Sequence, residues 1–362
     1  MIVRNEEKNI ERSLNSALPH VDSWCIIDTG STDSTMQKIL EITNTAKKPG
    51  QLHQRPWVNF GHNRTELLEL ARPLGDWCFM LDADDSLEIL KYNKNGFAYE
   101  NLDKSVDAYT LKHVILSMEH YRQAVFNSSS PWIYIGVIHE SAHLNSLDKK
   151  PIYNHIHNIT VITREEGYRS QNPNKYRDDA LLLEVEIMKD PTNTRNLYYA
   201  ANSWREAKES EKAEFWYKNA IENEGNINDI YYSYMNLVIL TSDIEKKFQY
   251  SWKAHDLCPD KLEATYYLLV YLREHKIWNS QGYAIGLVTY ESYNPKLIQV
   301  VTINPEIYNF RFYDEFSMYA HFTKHYMQAV MVGEKALKGC LHEEKQRIIT
   351  NLEEFYKSFK LN

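Results

Sequence analysis

The first half of the chain alternates short apolar runs with amphipathic stretches, and this alternation constrains the fold more than any other feature. The runs MIV, WCII and WCFML are separated by segments in which apolar residues recur at helical spacing, as Ile10, Leu14 and Leu18 do. Apolar strands separated by helices indicate βαβ units and a mostly parallel sheet. Ligands of such sheets bind beyond the carboxyl ends of the strands. We therefore expect an α/β domain whose site lies near the residues that follow Ile27 and Leu81.

The second half of the chain has a different sequence periodicity. A Tyr-Tyr pair recurs at 198–199, 231–232 and 266–267, and prolines recur at Pro191, Pro259 and Pro295. A period near 34 residues that is built from helix pairs is typical of tetratricopeptide-type (TPR) repeats. The polar, proline-containing segment RSQNPNKY lies between the part of the chain with alternating strands and helices and the part with the repeat. We expect residues 1–172 to form the α/β domain and residues 173–362 to form an all-α, TPR-like domain.

Composition narrows the class of protein. The formal net charge of the 362 residues is −8, which argues against a protein that mainly grips nucleic acid or an anionic membrane. The four cysteines are scattered without CxxC spacing, so free thiols in a reducing compartment are expected. No apolar run approaches the ~18–20 residues needed to span a bilayer, and the N-terminus has no signal-peptide core. The sequence predicts a soluble, cytoplasmic protein without a transmembrane segment or a nucleic-acid partner.

An acidic segment, Asp82-Ala83-Asp84-Asp85, directly follows the third apolar run. Strand-like alternation would send Asp82 and Asp84 in similar directions while Ala83 points away. Two carboxylates that converge on one point are costly unless a cation binds there, and oxygen-rich sites suit Mg²⁺ or Mn²⁺. The alternative is a solvated acidic turn. The burial of the preceding run favours the cation site.

A second acid-bearing turn, IIDTGSTDST, follows the second apolar run. Gly30 permits a tight turn, and the residues from Ser31 to Asp33 can cap the next helix. Capping does not explain Asp28, which precedes them at the ligand edge of the sheet. We expect Asp28 to accept hydrogen bonds from a base N–H or a ribose hydroxyl.

These segments together carry a resemblance. MIVRNEEKNIERSLNSALPHVDSWCIIDTGSTDST, FGHNRTELLELA and WCFMLDADD resemble, in order and spacing, a family 2 glycosyltransferase of the GT-A fold. The later GVIHESAH, EEGYRSQNPNKYRDDALLLE and NLYYAANSWREA resemble the subgroup in which helical repeats follow this domain. Members of the family usually have several residues before the segment that matches IVRNE. The first strand is therefore expected to be short, or the chain to have an alternative start.

The resemblance implies a metal-dependent, inverting transfer of a glucose- or N-acetylhexosamine-type sugar from a UDP-sugar. It implies that one set of residues contacts the donor: Val3, Asn5, Glu6, Asp28, Gly30, Ser31, Asp33, Asn63, Arg64, Asp82 and Ala83. Asp82 and Asp84 would bind Mn²⁺ or Mg²⁺ at the diphosphate, and relatives with HE after the acids suggest His139 as a further ligand. Arg169 is expected on a lid that closes over the diphosphate.

An inverting transfer also needs a base that takes the proton of the acceptor. Asp85 and Glu140 are the candidates, with Glu140 preferred. The acceptor itself stays open between a protein and a glycan.

Two other functions fit parts of the sequence. A nucleotidyltransferase also uses acids on Mg²⁺, but it would want a glycine-rich basic loop, and MIVRNEEKN contains no glycine. A catalytically weak domain could instead serve as an interaction platform through its helical repeats, which usually present a concave face to a peptide or another subunit. A second copy of this chain is one such partner.

Overall fold

The computed structural model describes residues 1–90, 102–116, 118–146, 149–164, 166–295 and 304–361. These residues form two compact units. The first comprises Met1–Asp179 and the second begins at Ala180. The boundary between the two units falls inside the helix Lys175–Lys189. The boundary between residues 172 and 173 stays a prediction from the sequence. The structure confirms the α/β domain followed by a helical domain.

The first unit contains a parallel three-stranded sheet with the central strand β2 between β1 and β3. The register pairs Val3 with Asp28 and Asp28 with Gln54, so the carboxyl ends of the three strands are level. Helices follow each strand, as the βαβ pattern predicts. The elements are β1 (Ile2–Val3), α1 (Ile10–Ala17), β2 (Trp24–Asp28), α2 (Thr35–Ala46), β3 (Gly50–Gln54) and α3 (Phe60–Ala71).

A second, mixed sheet completes this unit, and the sequence pattern did not predict it in full. Its strand order is β4-β7-β6-β10-β5, with β6 and β10 parallel and the other neighbours antiparallel. A separate hairpin joins β8 to β9. The strands are β4 (Trp77–Phe79), β5 (Asp85–Ile89), β6 (Ala108–Ile115), β7 (Met118–Asn127), β8 (Trp132–Ile135), β9 (Ser141–Leu144) and β10 (Tyr153–Thr163).

The core of the first unit lies on both faces of these strands. One cluster packs Ile10 and Leu14 of α1 against Ile26 of β2 and residues of β6 and β10. A second cluster packs Leu67 and Leu68 of α3 against Ile27. Burial of this apolar surface fixes α1 and α3 on the sheet, and it thereby fixes the loops at the carboxyl edge.

The second unit is helical, and its helices form antiparallel pairs. The three Tyr-Tyr pairs lie in α5, α7 and α9, which confirms the repeat that the spacing predicts. The helices are α4 (Lys175–Lys189), α5 (Thr194–Glu206), α6 (Ser210–Glu222), α7 (Ile227–Leu240), α8 (Ile244–Leu257), α9 (Glu263–Glu274), α10 (Ser280–Ser292), α11 (Phe312–Phe322), α12 (Tyr326–Gly339) and α13 (Lys345–Leu361). Of the helices that the structure describes, none is both long and apolar enough to cross a bilayer.

Candidate active site

A cavity of about 690 Å³ opens at the carboxyl edge of the parallel sheet. Its wall comes from the ends of β1 and β2, the start of α3, the acidic segment and the residues after β10. The lining residues are Ile2, Val3, Arg4, Glu6, Thr29, Trp57, Phe60, Arg64, Asp82, Ala83, Asp84, Thr163, Gly167, Tyr168, Arg169, Ser170, Gln171, Asn172 and Lys175. Another cavity, of about 610 Å³, lies near the opposite ends of β2 and β4. The two arginines and two of the acids that the sequence singled out, Arg64, Arg169, Asp82 and Asp84, line the first cavity.

The three acids of the predicted cation segment have three different surroundings. The segment is not a strand, because β4 ends at Phe79 and residues 82–85 form a turn in which Asp85 N–H donates to Asp82 O at 3.2 Å. Strand alternation consequently does not apply to Asp82 and Asp84. Both nevertheless line the cavity, whereas Asp85 is 1% exposed and lies behind it.

Asp82 is neutralised by arginine on both of its carboxylate oxygens. Nη2 of Arg64 donates to Oδ1 at 2.6 Å, and Nη2 of Arg122 donates to Oδ2 at 3.4 Å. Although burial opposes ionisation, these two guanidinium groups hold the pKa of Asp82 well below its usual range. Arg122 lies on β7, and no sequence motif pointed to it.

Arg64 links Asp82 to Glu140. Nε of Arg64 lies 2.6 Å from Oε1 of Glu140. The N–H does not point along this contact, so it is an ion pair without a hydrogen bond. The two carboxylates raise the pKa of Arg64 although burial opposes this. Glu140, the preferred base, therefore holds an arginine and does not itself line the cavity.

Asp84 lacks a cationic partner among the residues that the structure describes. Its Oδ2 accepts the N–H of Gly167 at 3.2 Å, and Arg12 reaches only its main-chain oxygen, at 3.4 Å. Burial, followed by the charge of Asp82, raises its pKa. Asp84 is thus an acid at the cavity wall whose carboxylate forms no ion pair with an arginine or lysine in the described part of the chain.

Glu6 and Asp84 receive neighbouring main-chain N–H groups from one segment. Oε1 of Glu6 accepts the N–H of Tyr168 at 2.9 Å, next to the Gly167–Asp84 bond. A methyl carbon at position 167 would lie 3.1 Å from Asp84 Oδ2 and 3.2 Å from Glu6 Oε1, so glycine leaves room for both acids. The segment after β10 is thereby attached to the cavity wall, an anchor that the sequence did not reveal.

Arg169, the predicted lid cation, lies on this segment and lines the cavity. Its guanidinium forms an ion pair with Asp179 and lies over the ring of Phe60, 5.0 Å from the centroid. Phe60 meets Trp57 edge-on at 4.8 Å, and Trp57 is an exposed aromatic residue of the wall that sequence reasoning missed.

Asp28 serves its own turn and does not line the cavity. Its side chain is buried and accepts the N–H groups of Gly30 and Ser31, each at 3.1 Å to Oδ2. Gly30 has φ +103, a backbone conformation that favours glycine. The expected contact from Asp28 to a base or ribose stays a prediction.

The loop after β1 interlocks with this turn. Asn5, at φ +54, donates its N–H to Ser31 Oγ at 2.9 Å and accepts the N–H of Thr32 at 2.7 Å. Asp33 accepts the N–H groups of Thr35 and Glu7. Asn5, Ser31 and Asp33 therefore shape the rim of the site, while Val3 and Glu6 reach its wall.

Asn63 positions the loop that carries Trp57. The fully buried side chain accepts the N–H of Val58 at 3.0 Å and donates to Pro56 O at 3.1 Å. It does not line the cavity, in contrast to the adjacent Arg64. Asn63 thus fixes the loop through main-chain contacts, and its contact with the donor stays a prediction.

The predicted metal ligands do not form a three-residue cluster. No group of three or more His, Cys, Asp or Glu side chains within the described ranges could hold a metal ion. His139, at φ +51 in the loop between β8 and β9, does not line the cavity. The Asp82, Asp84 and His139 assignment stays a prediction.

The wall still suits a hard divalent cation. Mg²⁺ is commonly bound by one or two carboxylates together with water and substrate phosphates. Asp84 is a carboxylate at this wall, and the binding of a cation by it stays a prediction.

Comparison with known proteins relates the first part of the chain to one family. Residues 1–129 match the model of the family Glycosyl transferase family 2. The SPbeta prophage-derived glycosyltransferase SunS of Bacillus subtilis is 24% identical over 261 residues, which are 69% of this chain and 59% of that protein. The chain thus spans less than two thirds of that relative's length.

Two solved structures have weaker similarity. S. aureus TarS 1–349 in complex with UDP-GlcNAc has a TM-score of 0.36 and 14% identity, covering 75% of this chain and 90% of its own. YrrB, a TPR protein, has a TM-score of 0.33 and 12% identity, covering 45% and 77%. On its own architecture, its family match and its curated relatives, the chain carries a glycosyl transferase family 2 domain followed by TPR-like helices.

Proposed function

We propose that this protein is a glycosyltransferase that moves a glucose- or N-acetylhexosamine-type sugar from a UDP-sugar to an acceptor hydroxyl or other nucleophile. The single observation that carries the proposal is the cavity at the carboxyl edge of the sheet, where Asp84 and Arg64 lie on one wall. A carboxylate can bind a divalent cation, and a buried arginine beside it can bind a diphosphate.

The transfer makes one bond and breaks one bond. The acceptor nucleophile bonds to C1 of the sugar, the bond from C1 to the diphosphate oxygen breaks, and its electron pair stays on the departing UDP. The proton of the acceptor passes to a carboxylate, and inversion follows from attack opposite the leaving group. Asp85 and Glu140 stay the predicted candidates for this base.

The residues of the wall would serve the departing diphosphate. Arg64 would donate N–H groups to its oxygens, and Arg169 would add a second cation from the segment after β10. Mn²⁺ or Mg²⁺ held at Asp84 would act as a Lewis acid that stabilises the negative charge on the diphosphate. Main-chain anchoring of Gly167 and Tyr168 would keep that segment over the site and exclude water.

The test is a panel of UDP-sugars incubated with the full chain and Mn²⁺, with released UDP and released sugar 1-phosphate both measured. Slow hydrolysis of one UDP-sugar, abolished by EDTA and by Asp84→Asn, is the expected result. Asp76→Asn is the matched control, because Asp76 is an exposed acid paired with Lys104 away from the cavity. Release of sugar 1-phosphate would indicate nucleotidyl transfer instead, because transfer of the uridylyl group leaves the sugar with the other phosphate. Failure to bind both UDP and Mn²⁺ would refute the proposal.

A further inference from the structure

The strand β7 is longer than the strand that pairs with one of its sides. β7 spans Met118–Asn127, but β4 pairs with only its last three residues, and the N–H of Met80 then donates to Ala124 O at 2.8 Å. On its other side, β7 pairs with β6 along nearly its whole length. Within the described part of the chain, residues 118–123 therefore have no strand partner on the β4 side. We call residues 118–123 the open edge.

The open edge lies beside the cavity. β7 runs antiparallel to β4, so the residues that precede Ala124 lie beyond the carboxyl end of β4. The chain leaves β4 at this point and turns into Asp82, which lines the cavity. Arg122 of the open edge contacts the carboxylate of Asp82 at 3.4 Å. A polypeptide that paired with the open edge would therefore continue the line of β4 along the cavity wall.

The open edge is accessible to such a polypeptide. The ring-bearing side chain of Tyr121 is 37% exposed, and the side chain of Arg122 is 44% exposed. No proline interrupts residues 118–123. Natural proteins usually shorten, cover or interrupt an edge of this kind, because its unpaired N–H and C=O groups can pair with another chain. An edge that is left uncovered next to a cavity is therefore suited to recognition.

A β-bulge marks the start of the open edge. The pairing of β6 with β7 shifts register between Tyr109 and Thr110, which leaves Ala124 as the extra residue of β7. Bulges bend a strand and are frequent next to active sites. The bend thus falls at the residue where β7 leaves β4.

The side chains of the open edge alternate between two faces of the sheet. Arg122 contacts Asp82 on one face, whereas the ring of Tyr121 meets that of His155 on the other, with centroids 5.5 Å apart. The side chains of a paired peptide would alternate in the same way. Every second side chain of the peptide would share the face of Arg122 and Asp82, and hence the side of the cavity.

We propose that an extended polypeptide acceptor adds as a strand to the open edge and thereby presents a nucleophilic side chain to the cavity. This inference rests on the proposed function, because it names the class of acceptor for the same reaction. The side-chain nucleophile would bond to C1 of the sugar and lose its proton, while UDP departs with the electron pair of the broken bond. A polypeptide fits because its N–H and C=O groups repeat at the spacing of the unpaired groups of a sheet edge. A glycan has no such array of amide groups.

The test uses the full chain, Mn²⁺ and the UDP-sugar that the panel identifies. The probes are short soluble peptides in which alternating Thr and Val flank a central Ser, Thr or Cys. Mass spectrometry should find sugar on the central residue of at least one peptide. That peptide is then made in two forms, N-methylated on its odd or on its even residues, because alternate N–H groups of a strand point to opposite sides. One form should lose about tenfold or more in kcat/KM, and the other should stay within about twofold.

Two adjacent proline substitutions test the protein side of the pairing. Alternate N–H groups of β7 point towards β6 and towards the open edge, so one of His120→Pro and Tyr121→Pro removes an N–H of the open edge. That variant should have the higher thermal midpoint of the two, and its ratio of peptide transfer to UDP-sugar hydrolysis should fall about tenfold. His120→Ala and Tyr121→Ala are the matched controls, because they keep the N–H group and should lower this ratio less. Hydrogen exchange of residues 118–123 should slow about tenfold with saturating peptide.

Four outcomes would overturn the inference. They are equal losses for the two N-methylated forms, unchanged hydrogen exchange in residues 118–123, transfer to a glycan in place of every peptide, and no transfer to any peptide by a chain that hydrolyses the UDP-sugar. Slow exchange of the same residues in a peptide-free dimer, lost on dilution, would assign the open edge to a second copy and also overturn it.

The failure of the proposed function looks different. A wild-type chain that neither binds UDP nor hydrolyses a UDP-sugar would reject the transferase reaction. Hydrogen exchange with the same peptides would still test the pairing, since it requires no donor. Slowed exchange in residues 118–123 would support strand addition, and unchanged exchange would overturn it as well.

Discussion

Gly61 is where α3 touches the loop that carries His139 and Glu140, and Gly61→Ala tests how tightly that contact is built. The N–H of Gly61 donates to Gly136 O at 3.1 Å. A Cβ at Gly61 would lie 2.5 Å from that oxygen and 3.1 Å from the main-chain oxygen of Tyr134, whereas ordinary contacts begin near 3.4 Å. Both obstacles are backbone atoms, so the loop must move by most of an ångström.

The expected cost follows from this crowding. Overpacking of a well-packed site typically costs about 1–3 kcal/mol. The helix regains at most ~1 kcal/mol from replacing glycine by alanine. The net loss of about 1–2 kcal/mol should lower the thermal midpoint by roughly 2–8 °C for a unit of this size, at about 2–4 °C per kcal/mol. Circular dichroism of the full chain during heating measures it.

The control is Gly75→Ala, where the nearest atom to the added carbon is Trp77 O at 3.8 Å and the backbone is extended. That variant should match or slightly exceed the wild-type midpoint, because alanine restricts the unfolded chain. Gly61→Ala should also weaken UDP binding, because the displaced loop carries Glu140 away from Arg64. A midpoint equal to that of the wild type would refute the packing argument.

Three further predictions concern single residues. Burial and the charge of Asp82 raise the pKa of Asp85 to about 7, so the free energy of unfolding should fall as the pH rises from about 4 to 7. In EDTA, the thermal midpoint of Asp85→Asn should therefore exceed that of the wild type by more at pH 8 than at pH 5. Glu184 accepts the indole N–H groups of Trp204 at 2.8 Å and Trp216 at 2.9 Å. In urea unfolding, Glu184→Ala should lower the free energy of unfolding by about 2 kcal/mol and Glu184→Gln by much less, and equal losses would contradict the hydrogen-bond argument. Asn63→Ala removes both bonds to the loop that carries Trp57 and should lose about 2 kcal/mol, with faster hydrogen exchange in residues 57–59; unchanged exchange there would count against the assigned role.

The sequence predicted the architecture well where periodicity is local. The apolar runs became β1, β2 and β4, and the segments between them became helices, because one element's pattern depends on its own residues. The Tyr-Tyr period likewise located α5, α7 and α9. The mixed sheet was harder. Its strand order places β10 between β6 and β5, and such pairing depends on contacts between distant segments.

The site was predicted in outline but not in its connections. Val3, Glu6, Arg64, Asp84 and Arg169 line one cavity, as the resemblance implies. Other residues predicted to contact the donor, such as Asp28 and Asn63, bind main-chain groups of the protein, because a buried carboxylate or amide binds main-chain N–H groups within its reach. A sequence motif does not indicate whether a polar residue will contact a ligand or the main chain of the protein itself.

The acidic turn shows why identical residues acquired different chemistry. Asp82 meets arginines 18 and 40 residues away, Asp84 meets a glycine N–H 83 residues away, and Asp85 meets the hydroxyl of Thr163 78 residues away. Two guanidinium groups lower the pKa of the first acid, whereas burial raises that of the other two. Since each partner arrives from a different element, the division of roles is a property of the assembled fold. Exchanging the charges of Asp82 and Arg64 should therefore restore part of the stability that either single reversal loses. Reversing Asp84 offers no such exchange, because its carboxylate forms no ion pair among the described residues.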